Sequence, residues 1–155
     1  MSNNATSSVE GDAPTNNQSP KIFRTMFRDG NFPQLGAEWL QLGVRVPTDI
    51  KPDNASNVHP GKNKGMSVAP EAGKLPAVII PARLKSRYRN AMGPDDAAIW
   101  SFGTSAYSKG PINDALELVP TSPTHGVVAP ANVMPLESFQ QELGKTQPHW
   151  VIDEY

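Results

Sequence analysis

Ile22-Phe23-Arg24-Thr25-Met26-Phe27 is the stretch on which the fold turns. It predicts an opening β-strand. Phe23, Thr25 and Phe27 share one face, and Ile22, Arg24 and Met26 share the other. An arginine with apolar neighbours on its own face has two readings. On an edge strand it carries its charge to water along an apolar stem. Buried, it needs a partner, because an unpaired charge away from water is costly.

Outward from this strand, the pattern predicts an α+β domain. Residues 1–20 hold Ser, Asn, Thr, Gln and Pro with almost no large apolar group, so they read as a disordered tail before one domain over 21–155. Leu35, Trp39 and Leu42 at i, i+4 and i+7 predict a helix over 31–43, with Pro33 in its first turn and Gly43 past its end. Residues 46–65 read as a long polar loop. Short strands are expected at 66–69, 77–80, 99–102, 116–119 and 126–129. Pro135 opens a last helix with Leu136, Phe139 and Leu143 on one face and Gly144 at its end.

Composition bounds the chemistry. The formal charge is −1, so no whole-protein field recruits nucleic acid or an anionic membrane. The chain has no cysteine, which excludes disulfides and thiolate chemistry and fits a reducing, cytoplasmic setting. The first residues show no basic region followed by an apolar one, so no secretory signal is expected, and delivery into a target cell would need a dedicated machine. No stretch approaches the roughly 18 apolar residues of a membrane span.

The candidate motifs divide. His59, His125 and His149 stand in no metal-ligand spacing, so no metal is expected. Gly61-Lys62-Asn63-Lys64-Gly65 lacks the Gly-Lys-Ser/Thr ending of a phosphate loop. Arg83-Leu84-Lys85-Ser86-Arg87-Tyr88-Arg89 carries four positive charges. It reads as a solvated loop, as a nucleic-acid patch, or as a rim that attracts an anionic cofactor; the balanced charge favours the first. His125, before Gly126-Val127-Val128-Ala129, reads as a structural hydrogen-bonder. Glu117, between Leu116 and Leu118, reads as a solvent-facing strand position.

The order of four segments resembles the type VI secretion exported toxin family Tse-two. These are the opening strand with its aromatic followed by arginine, Gly65-Met66-Ser67-Val68-Ala69-Pro70, Ile99-Trp100-Ser101-Phe102-Gly103-Thr104, and His125-Gly126-Val127-Val128-Ala129-Pro130 leading through Met134 to a final helix. The resemblance spans about residues 21–145 and matches poorly over 75–96.

That resemblance implies an ADP-ribosyltransferase-like fold, two small packed sheets with few helices clasping NAD between them. Related transferases carry an arginine or histidine on the first strand, a serine or tyrosine on a middle strand and a late glutamate. Arg24, Ser67 and Glu117 follow that order as the implied catalytic set. Arg24 and Ser67 would orient the ribose and phosphate, and Glu117 would stabilise the developing oxocarbenium ion. Gly103 would let backbone approach the cofactor, Thr104 would add a hydroxyl, and His125 would stand nearby as a neutral hydrogen-bonder. The implied function is an NAD-dependent cytotoxic effector with an intracellular target and a neutralising immunity protein. The alternative is a non-enzymatic module that binds a protein through its loops.

Overall fold

β1 (Ile22–Asp29) forms where the apolar hexad predicts it, and the other elements are arranged about it. The computed structural model describes residues 19–61 and 65–155. After β1 come β2 (Phe32–Pro33), β3 (Asn57–Val58), β4 (Met66–Val68), β5 (Ala97–Phe102) and β6 (Gly110–Pro111). Then follow β7 (Leu116–Ser122), β8 (His125–Pro130), β9 (Met134–Pro135), α1 (Leu136–Lys145) and β10 (Val151–Ile152). The fold is α+β, with one α-helix among the described residues and small antiparallel sheets. No described helix is long and apolar enough to cross a membrane.

Two four-stranded sheets, ordered β10-β5-β1-β2 and β4-β8-β7-β6, carry the core, and β3 pairs with β9 apart from them. β1 runs antiparallel to β5 from Ile22 opposite Phe102 to Phe27 opposite Ala97. On its other side, Phe23 and Ala69 exchange backbone hydrogen bonds at 2.8 and 2.9 Å. β1 is therefore not an edge strand at Arg24, and the reading of that arginine as an edge side chain is corrected.

The alternation of β1 sorts its residues into two cores. Ile22 and Met26 join Met66 and Val68 of β4, Trp100 of β5, Leu118 of β7 and Val128 of β8 between the sheets. Phe139 and Leu143 of α1 are fully buried in this same core. Phe23 faces the opposite way, with Ile99, against Ala72, Leu75, Ile80 and Leu84 of the segment that precedes β5. With both faces covered, every residue of β5 is buried.

Two expected elements are absent. Residues 31–43 form no helix. Their backbone groups bond to β1 and to each other: Phe27 N donates to Leu40 O, Gln34 N to Phe27 O and Leu42 N to Gln34 O. Leu40 sits at φ +58°, and a side chain at Gly43 would collide with the Gly36 carbonyl, so the two limbs touch where a helix would need regular turns. Leu42 is buried, while Leu35 and Trp39 remain about half exposed. Residues 77–80 form no strand, because Ile79 N and Ile80 N fold back onto the Pro76 carbonyl as a turn. The last helix forms as expected, but Gly144 lies inside it and Thr146 follows its end.

Most of the expected tail, residues 1–18, lies outside the described residues. Ser19 and Pro20 already belong to the fold: both are buried, and the Ser19 hydroxyl donates to Ile112 O at 2.9 Å.

The segment after β10 is clasped. Glu154 accepts two hydrogen bonds from Arg83, at 2.9 and 2.6 Å, and one from Ile99 N at 3.2 Å. Its own carbonyl accepts the Tyr88 hydroxyl at 2.8 Å. The Arg83 hydrogen bonds are the main reason the Glu154 carboxyl is held below the usual glutamate range, helped by the Ile99 amide and by the charges of Arg83 and Arg28.

Two outcomes follow. Phe139→Ala removes a fully buried ring and is expected to cost about 3–5 kcal/mol in denaturant unfolding, whereas Val151→Ala, at an exposed position, should leave the midpoint nearly unchanged. Glu154 has a depressed carboxyl, so its stabilisation is present above the ordinary glutamate value of about 4.3 and is lost as pH falls through the folded value. The melting-temperature gap between wild type and Glu154→Gln should therefore be widest near neutral pH and close on acidification.

Candidate functional site

Arg24 reaches out of β1 and bonds to two carbonyls. Its Nη1 donates to Ser67 O at 2.8 Å and its Nη2 to Gln41 O at 2.9 Å. Its Nε is buried and has no partner among the described residues. Asp49, the opposing charge that acts on it, is taken up by Arg45, whose backbone and side-chain nitrogens contact that carboxylate at 2.7–3.2 Å. Desolvation lowers the Arg24 pKa to about 10; Asp49 opposes that shift and Arg45 adds to it. The guanidinium is still charged at neutral pH, bonded to carbonyl dipoles and to no carboxylate among the described residues.

Beside it lies a pocket of about 280 Å³. Arg24, Ser67, Val68 and Ala69 line it from β1 and the β4 end. Lys74, Leu75, Pro76 and Ile79 form a wall from the turn segment, and Thr124 and His125 close it from the β7–β8 hairpin. Two cationic residues, a histidine, a serine and a threonine thus line the pocket together with apolar residues, and none of the described lining residues is a carboxylate. That composition suits an anionic group attached to a flat or apolar body. Among the described residues, no three His, Asp or Glu converge into a possible metal site.

The sheet register explains which expected residues meet. Ser67 stands opposite Val127 and Val68 opposite Gly126, so Ser67 and His125 are diagonal neighbours on one face of the β4–β8 pair. His125 is fixed by Thr121, whose hydroxyl lies 2.7 Å from Nδ1 and 3.1 Å from the His125 carbonyl. Arg24, Ser67 and His125 therefore share one pocket.

Glu117, Gly103 and Thr104 do not line it. Glu117 lies on β7, opposite Ala129 and Pro111, one strand beyond β8. Gly103, at φ +84°, is needed for a different close approach: a side chain there would collide with the Pro20 and Ser19 carbonyls. Thr104 N donates to Ser19 O at 3.0 Å at the same crossing. The cleft expected near residues 67 and 104 thus opens at 67 only.

Lys74, Thr124 and the apolar wall were not anticipated. The wall belongs to the segment that carries the basic run, and Tyr88 ties the two together. An ideal Cβ at Gly73 would lie 3.7 Å from the Tyr88 ring, next to Lys74. Within the run, Arg83 is spent on Glu154, and Arg87 sits over the rings of Tyr155 and Tyr88 at 5.3 and 6.0 Å. Lys85 and Arg89 are exposed.

No protein-family model matches the chain, and no curated protein matches it with significance.

Proposed function

We propose that the chain is a cytotoxic effector of ADP-ribosyltransferase-like fold that binds NAD in the pocket beside Arg24 and acts on an intracellular target. The observation that carries this reading is a guanidinium with no carboxylate bonded to it among the described residues, bordering a cavity shared with Lys74, Ser67 and His125. A pyrophosphate supplies the missing counter-charge, and Leu75, Pro76 and Ile79 offer an apolar surface for a ring. At about 280 Å³ the pocket falls just below the roughly 300–1,000 Å³ of small-molecule sites, so it holds one half of a dinucleotide while the other extends outward. A neutralising protein would bind by presenting a carboxylate to Arg24 and Lys74.

A second reading, a module that binds without turnover, has its own support. Glu117 is not among the lining residues, so among the described residues the pocket has no carboxylate like the one the related transferases place beside the ribose.

Inducible expression in bacteria and yeast, with NAD titrated calorimetrically into the purified protein, separates the two. Wild type is expected to arrest growth and to bind NAD. Lys74 is exposed, so Lys74→Ala should leave the melting temperature unchanged. Loss of one charge-assisted contact, worth roughly 1.5–3 kcal/mol, should weaken NAD binding about tenfold to a hundredfold. Harmless expression together with no heat from NAD would reject the toxin reading.

A further inference from the structure

We propose that His125 is a general base, and that the reaction of the pocket is hydrolysis of the bond between nicotinamide and ribose, with water as the acceptor. The inference rests on the reading of this pocket as an NAD site and names its chemistry.

The Thr121 hydroxyl has a single proton to give. It is placed to donate to the His125 carbonyl at 3.1 Å, while its oxygen stands 2.7 Å from His125 Nδ1. Both contacts are satisfied together only if Nδ1 carries a proton and donates it to the hydroxyl oxygen. The lone pair of the neutral ring is then on Nε2. Nε2 has no partner among the described residues, and His125 lines the pocket.

The neighbours suit a base. Arg24 and Lys74 are cations, and the hydroxyls of Ser67 and Thr124 are far weaker proton acceptors than imidazole. Ser67 is exposed on the same sheet face, and its hydroxyl makes no hydrogen bond among the described residues. Diagonal neighbours across an antiparallel pair stand about 7–8 Å apart, which leaves room for a water between Ser67 and the imidazole.

The step balances. A water oxygen bonds to C1′ of the ribose as its proton passes to His125 Nε2. The bond from C1′ to the pyridinium nitrogen breaks, and its electron pair stays on that nitrogen. Neutral nicotinamide and ADP-ribose leave, and the imidazolium returns its proton to solvent. Nicotinamide departs as a neutral molecule, so it needs no acid. Arg24 and Lys74 hold the phosphates so that the water meets C1′ from the open side.

The test measures nicotinamide release and NAD affinity for wild type, His125→Ala, His125→Gln and Thr121→Val. Nicotinamide and free ADP-ribose should appear in equal amounts with wild type. His125→Ala should lower kcat by about 10²–10⁴-fold while changing the NAD dissociation constant less than about threefold. His125→Gln, which can hydrogen-bond but not take the proton, should be equally slow. Thr121→Val, which frees the tautomer, should fall between. Added imidazole should restore part of the His125→Ala rate, an effect that a purely structural histidine would not show. Turnover of His125→Ala at the wild-type rate would overturn the proposal. So would ADP-ribose attached to protein with none released free. NAD binding by wild type without turnover would reject the hydrolysis while leaving the site reading intact, whereas no NAD binding would reject both.

Discussion

A charge held by backbone carbonyls organises this molecule. Arg24 projects from a strand with buried residues on either side of it and ends on the carbonyls of Ser67 and Gln41. These two bonds join β1 to β4 and to the irregular segment after β2. Carbonyl dipoles satisfy the hydrogen-bonding needs of part of the guanidinium but leave its net charge in place. Asp49 would be the natural counter-ion, yet Arg45 occupies it. The fold therefore keeps an electrostatic demand at the one place where β1, β4 and the β7–β8 hairpin come together around an opening.

The pocket depends on a second arrangement farther away. Its apolar wall is on the segment between β4 and β5, whose small core packs on the outer face of β1 and β5. Burial of Leu75, Ile80 and Leu84 against Phe23 and Ile99 supplies most of the adhesion. Glu154 adds direction: it grips Arg83 and receives Tyr88, and Tyr88 lies against Gly73 beside Lys74. The position of a pocket cation is thus tied to residues that follow the last strand.

Much of this was legible in the sequence where one physical signal acted alone. A partly alternating run gave β1, short apolar runs near Gly or Pro gave β4, β5, β7 and β8, and the Leu136, Phe139 and Leu143 spacing gave α1, since burial of an apolar run is enough to decide each. The resemblance set Arg24, Ser67 and Glu117 in one site in chain order; Arg24 and Ser67 line one pocket with His125, and Glu117 does not. The helical spacing of Leu35, Trp39 and Leu42 misled, because two touching limbs reproduce it by coincidence: Leu42 is in the core and the other two are at the surface. Gly103 was rightly singled out as a place of close approach, but the approaching backbone is the chain's own Ser19 and Pro20. Lys74 and the Glu154 clasp left no local trace, since each acquires meaning only through partners distant in sequence.

The central claim is that an anionic nucleotide occupies the space between Arg24, Lys74 and His125. Hydrogen exchange with and without saturating NAD tests it most directly. The account predicts slowed exchange at the amides of residues 67–76 and 124–127, with the rest of the chain little altered. Protection confined to the groove between Leu35 and α1, or no protection at either hairpin or wall, would contradict it.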